Sequence, residues 1–190
     1  MLRPQNGTMR FDPGAFPDAV AGILLKYASH PLPLTRSDDC DRESARVLQN
    51  ASLESLFPAA RNANAALSGL LLLLGCWDES HRVSQDIPSA EGSYWHAIAH
   101  RIEPDSSNSG YWFRRVGEHP IFRELHREAS TILERVPEGH WRLGPSWDPF
   151  LFNKWCDEAR AQRGEKERVA TEIQQIEWQL LFEWCAARGQ

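Results

Sequence analysis

The 190-residue chain has no Cys-x-x-Cys pair among its four cysteines, no net basic charge, and no long hydrophobic run. Each absence excludes something. Cys40, Cys76, Cys156 and Cys185 are widely spaced, and three of them lie in apolar helical patterns, where a free thiol behaves as a small hydrophobe. That usage predicts reduced cysteines rather than a disulfide framework. A net charge of -5 argues against a general nucleic-acid binder, which needs a basic face. The longest greasy stretch, Leu67 to Trp77, falls short of the roughly 20 residues that span a bilayer, so no membrane association is expected. Met1 to Phe11 carries Pro4 and charge but no apolar signal core, and the expected location is cytoplasmic. Gly69 and Gly75 stand isolated in a helical pattern, so no glycine-rich phosphate loop is present. Strand-like alternation is missing throughout.

What remains is helical. Residues 1–16, with Pro4, Gly7, Pro13 and Gly14, read as an irregular arm, and 17–190 as a single helical domain. Helices are predicted from Pro17 to about Ser29, weakly over 41–57, from after Pro58 to Trp77, over 78–86, and from Ala90 to about Glu103 behind the Ser89 cap. The Asp105-Ser-Ser-Asn cluster precedes another over 109–117, and Pro120 opens one carrying Phe122, Leu125, Ile132 and Leu133. Pro137, Gly139, Gly144 and Pro145 mark a loop. Asp148-Pro149 starts a helix running to Gln162, Gly164 breaks it, and a last helix spans about 165–187. The expected class is all-α, with short antiparallel hairpins stacked between flanking N- and C-terminal helices.

Tryptophan is the abundant oddity, eight against three tyrosines, and four of the seven histidines fall between Trp77 and His119. On a helix, His96 and His100 lie one turn apart and share a face, with Glu103 a further turn along. Asp78 and His81 form an i, i+3 pair on the preceding helix. If the two helices are neighbours, His81, His96 and His100 converge with a carboxylate, a donor set suited to zinc, iron or manganese. The zincin pattern is excluded, because Ala97 stands where its general-base glutamate would follow the first histidine. Packing by hydrogen-bonded histidines stays open beside the metal site. Cys76 or Ser80 beside His81 lacks a nucleophile turn.

A second candidate is an anion pocket, in which Arg101, Arg114 and Arg115 hold a carboxylate or phosphate and Trp95 or Trp112 forms a stacking wall. Against it, Arg114 and Arg115 also fit solvated helix positions paired with Glu118 or Glu124. Trp155, Trp178, Phe182 and Trp184 follow helical spacing and are assigned to the core.

The run Gly92-Ser-Tyr-Trp-His96-Ala-Ile-Ala-His100-Arg-Ile-Glu-Pro-Asp105, with Tyr111-Trp-Phe-Arg-Arg-Val-Gly-Glu-His-Pro120, resembles a family of bacterial and fungal proteins without an assigned activity. Asp78-Glu-Ser-His81, Ser84-Gln85 and Trp147-Asp-Pro-Phe150 match the same pattern, which extends over about residues 70–185. The resemblance implies a shared fold and role. It departs at Ile102, where the pattern carries arginine. Leu74-Gly-Cys-Trp-Asp-Glu-Ser-His81 and Asn108-Ser-Gly-Tyr-Trp-Phe-Arg-Arg-Val116 are also similar to tetratricopeptide and Sel1-type helix junctions, although the period is irregular.

Three functions follow as expectations. The first is a helical-repeat-like binding module for an acidic peptide or small anionic ligand, lined by His81, Trp95, His96, His100, Arg101, Glu103, Trp112, Arg114 and Arg115. The second is a metal-dependent hydrolase or oxygenase using His81, His96, His100 and Glu103 or Asp78. The third is a structural oligomerisation domain.

Overall fold

The computed structural model describes residues 9–27, 30–136 and 141–189. Among them the chain is all-α, with ten helices and no strand: α1 Asp18–Tyr27, α2 Arg42–Asn50, α3 Leu53–Leu56, α4 Ala63–Leu73, α5 Trp77–Gln85, α6 Ala90–Ile102, α7 Ser106–Val116, α8 Phe122–Leu133, α9 Pro149–Gln162 and α10 Glu165–Ala186. The predicted end of the first helix at Ser29, residues 1–8 of the arm, and Pro137 and Gly139 of the predicted loop lie outside the described residues.

Most boundaries follow from local chemistry. Asp41, Ser52, Asn62, Ser89, Asp105 and Asp148 each accept a backbone N–H at the start of a helix, satisfying a donor that has no partner within the first turn. Pro149 sits in the first turn of α9, where its missing N–H costs nothing. Two boundaries differ from expectation. The weak helix over 41–57 is two helices, because Ser52 caps a new start. The helix expected from Pro58 begins only at Ala63: Ala59 takes a positive φ, and Asn62 supplies the cap.

Consecutive helices α4, α5, α6 and α7 each pack on the next, and α10 lies against α4, α8 and α9. Trp95 of α6 presses so close to α4 that a Cβ on Gly69 would come within 2.6 Å of its ring. Part of the arm is packed rather than loose: Phe11 and Phe16 pack with tilted rings against Phe182 of α10, and Met9 is buried.

A correction concerns sulfur. Cys40 and Cys76, expected as free thiols, form a disulfide, whereas Cys156 and Cys185 are free and buried. The sequence separation of 36 hid the pairing. Gly75, at φ +73°, turns the chain sharply after α4; a side chain there would strike the Asp39 carbonyl, 2.5 Å away. The Asp41 N–H also donates to the Leu74 carbonyl, so the loop before α2 is laid against the start of α5. The cysteines therefore no longer argue for a reducing compartment. No helix among the described residues is long and apolar enough to cross a membrane.

A candidate metal centre of three histidines

The connection Asp86–Ser89 folds α6 back against α5, and the faces carrying His81 and His96/His100 meet. His96 Nε2 lies 3.1 Å from His100 Nε2, and His81 Nε2 lies 3.3 Å from His100 Nε2. The ligating atoms of the three residues all fall within 4.8 Å of one another. An ion with metal–nitrogen bonds of about 2.0–2.1 Å sets its ligand nitrogens roughly 3.3–3.4 Å apart in a tetrahedron and about 2.9 Å apart in an octahedron. The two observed separations lie between these values.

Proton placement sharpens the geometry. The Ser84 hydroxyl donates to the His81 carbonyl at 3.0 Å, so its oxygen accepts from His96 Nδ1, also at 3.0 Å. His100 Nδ1 faces the Glu103 carboxylate at 3.0 Å. These partners assign the proton of both imidazoles to Nδ1, which leaves an unprotonated Nε2 on each, the two 3.1 Å apart. The Asn108 amide nitrogen stands 3.1 and 3.4 Å from the two ring nitrogens of His100, a position over the ring face rather than along the Nε2 lone pair. His81 can supply one N–H to one of the facing nitrogens, which leaves the other lone pair unmatched. Buried polar atoms without partners are costly, and a cation satisfies all three at once.

Burial, followed by the neighbouring histidine charges, holds His96 down at about 3. His81 is lowered too, by burial and then by His100, with Glu103 and Asp78 opposing. Neutral imidazoles are the ligand form. Trp77 stacks on His81, with ring centres 4.6 Å apart, and its indole N–H donates to the Ala99 carbonyl. Trp112 of α7 lies 4.2 Å from His96 on another flank. His96 and His100 are 1% and 6% exposed, while His81 is half-buried.

Other predicted residues take different places. Glu103, expected as a possible ligand, instead holds His100 by its outer nitrogen, the partner that fixes a metal-binding tautomer. Asp78 pairs with Arg36 at 2.9 Å, away from the nitrogens. Arg101 and Trp95 are 0% exposed and cannot line a solvent-reached pocket. Each adjoins a site histidine in sequence, but consecutive helical residues project in different directions. Arg101 spends its guanidinium on Glu177, through two hydrogen bonds, and on Asn153 at 2.8 Å. Tyr94 donates to the same Glu177 carboxylate at 2.9 Å. Arg114 and Arg115 are exposed and make no ion pair with a described residue; Arg115 rests 5.2 Å over the Trp112 ring. His119 stands apart, edge-on to Tyr94 and Trp184, and burial lowers it to about 4.

Ser84, Asn108 and Arg36 were missed as site-supporting residues. The i, i+3 spacing from His81 is the signal that finds Ser84; nothing local marks Arg36, which arrives from a loop more than 40 residues earlier.

Comparison of the chain with known protein families, curated proteins and solved structures gives no match.

Proposed function

We propose that this protein binds one divalent transition ion through His81, His96 and His100 and uses it in metal-dependent hydrolytic chemistry. One observation carries the reading: two Nε2 atoms, fixed as acceptors by their Nδ1 partners, face each other at 3.1 Å with a third imidazole nitrogen 3.3 Å away. Three neutral ligands leave the ion its full double charge and an open position, conditions that acidify bound water. With the carboxylate of Glu103 outside the ligand set, zinc fits better than the two-histidine, one-carboxylate arrangement of iron oxygenases.

The test is elemental analysis of tag-free protein after zinc loading and gel filtration. One equivalent of zinc is expected in the wild type and none in His96→Ala. Retention that is indifferent to His96→Ala, or no retention at all, rejects the site.

A second reading, capture of a small anion or acidic peptide, is favoured by Arg115 lying over Trp112 next to His96. It loses Arg101, and its test is a thermal-shift comparison of wild type and Arg115→Ala with carboxylate and phosphate ligands. An equal response in both proteins removes it. The repeat-like stacking of consecutive helix pairs belongs to this reading. A cytoplasmic setting is part of both, and there the Cys40–Cys76 bond meets a reducing thiol pool.

A further inference from the structure

We propose that the Cys40–Cys76 disulfide is a reversible clamp that sets the position of His81 and so tunes the affinity of the three-histidine site; this rests on the metal reading above. His81 differs from its two partners in what holds it. His96 is fixed through Ser84 and His100 through Glu103, whereas among the described residues no hydrogen bond fixes Nδ1 of His81. Its ring is stacked on Trp77 and packed against His96, with ring centres 4.6 and 4.1 Å away, so the first turn of α5 supplies one of the contacts that set its orientation. That turn is where the disulfide acts. Cys76 is the residue before α5, and Cys40 ties it to the loop that carries Arg36. Arg36 lies 4.4 Å over the Trp77 ring and pairs with Asp78, so loop, helix start and His81 form one continuous stack. The loop is also bonded at either side of the clamp, from Arg36 N–H to the Ile102 carbonyl and from Asp41 N–H to the Leu74 carbonyl. Opening the disulfide therefore loosens the stack without unfolding the domain.

The bond is placed to be opened. Cys40 is partly exposed and Cys76 buried, so an attacking thiolate reaches the Cys40 sulfur and Cys76 leaves. The leaving sulfur sits at the N-terminus of α5 and makes no side-chain capping bond; as a thiolate it gains from the free N–H groups of that turn, against the Glu79 carboxylate within 4.8 Å. With a dithiol reductant, the S–S bond breaks and the reductant's two thiols become a disulfide. Its two electrons and two protons end on Cys40 and Cys76. The free cysteines take no part: burial pushes the Cys156 thiol up to about 12 and raises Cys185 as well.

The experiment compares the zinc dissociation constants of oxidised wild type and Cys40→Ala/Cys76→Ala by chelator competition. Removing both sulfurs matters, because reduced Cys40 and Cys76 with Glu79 are close enough to hold an ion themselves. The clamp predicts binding about tenfold weaker in the variant, the scale on which supporting partners act on metal ligands. Equal affinities would overturn the clamp and leave the metal reading intact. If neither form binds zinc, the metal reading fails, and the His81 ring resonances of the two forms then decide whether the disulfide positions that ring. A displaced His81 signal with His119 unmoved supports the positioning; identical spectra reject it. Should the double variant not fold, Cys40→Ser/Cys76→Ser answers the same comparison, again with both sulfurs gone.

Discussion

Helix α6 carries two polar clusters on different sides, and their contrast separates packing from function. On the buried side, Arg101, Glu177, Tyr94 and Asn153 form a network in which the charges are paired. Asn153 passes on to the Ser109 hydroxyl, and that hydroxyl to the Ala97 carbonyl. No polar atom of this group asks for anything further, which is the condition for keeping charge inside a core. On the other side, His96 and His100 are as well supported at Nδ1, but their Nε2 atoms face each other at 3.1 Å and His81 can supply an N–H to only one of them. A complete network stabilises one structure; an incomplete one with convergent lone pairs is a place for a ligand.

The largest effect should come from breaking the complete network. Glu177→Ala leaves the Arg101 charge buried and unpaired, and a loss of about 3–5 kcal/mol is expected by urea unfolding. If Glu177→Ala costs less than about 1 kcal/mol, the network is not the charge-paired core described. His96→Ala is the opposite case. Zinc affinity should fall by at least about a hundredfold, because a ligand is gone, while the metal-free fold loses only the ordinary cost of a trimmed, partly packed side chain. Glu103→Gln is smaller again. It keeps a hydrogen-bond acceptor for His100 but removes the charge, and zinc should bind about 10–100-fold more weakly. An unchanged constant would put Glu103 outside the site.

Acid acts on the buried histidines. His96 and His119 titrate at about 3 and about 4 in the fold, below the ordinary histidine value of 6.5. Between those limits the unfolded chain takes up protons that the folded chain does not, so metal-free protein loses stability as pH falls from about 6.5 toward 4. A thermal-melting series should show this decline, and His119→Gln should flatten part of it. Zinc should steepen the same decline, since protons and metal compete for the imidazole nitrogens. Melting temperatures flat from pH 7 to 4 would contradict the buried, neutral histidines.

Much of this was legible in the sequence, for identifiable reasons. Ser89, Asp105 and Asp148-Pro149 announce helix starts by themselves, and the i, i+4 spacing of His96 and His100 fixes their shared face. The meeting of His81 with that face depended on only one assumption, that neighbouring helices fold back on each other. Arg101 and Trp95 adjoin site histidines along the chain but project to other sides of the helix and are fully buried, which sequence adjacency does not show. The Cys40–Cys76 bond and the Arg36–Trp77 contact were not legible, since both depend on where a loop with two prolines settles. Glu103 shows the finer limit. Spacing placed it on the histidine face, but only three-dimensional geometry distinguishes a ligand from the partner of a ligand's outer nitrogen.

The proposed site requires His96 and His100 to present Nε2 lone pairs, with His81, to one ion. Long-range nitrogen–proton NMR of the histidine rings, before and after one equivalent of zinc, reads it directly. Metal-free protein should show the Nδ1–H tautomer at His96 and His100. On zinc addition large Nε2 shifts are expected at His81, His96 and His100, with His119 unmoved. An Nε2–H tautomer at both His96 and His100, or a zinc titration that leaves those three nitrogens in place, would contradict the proposed site.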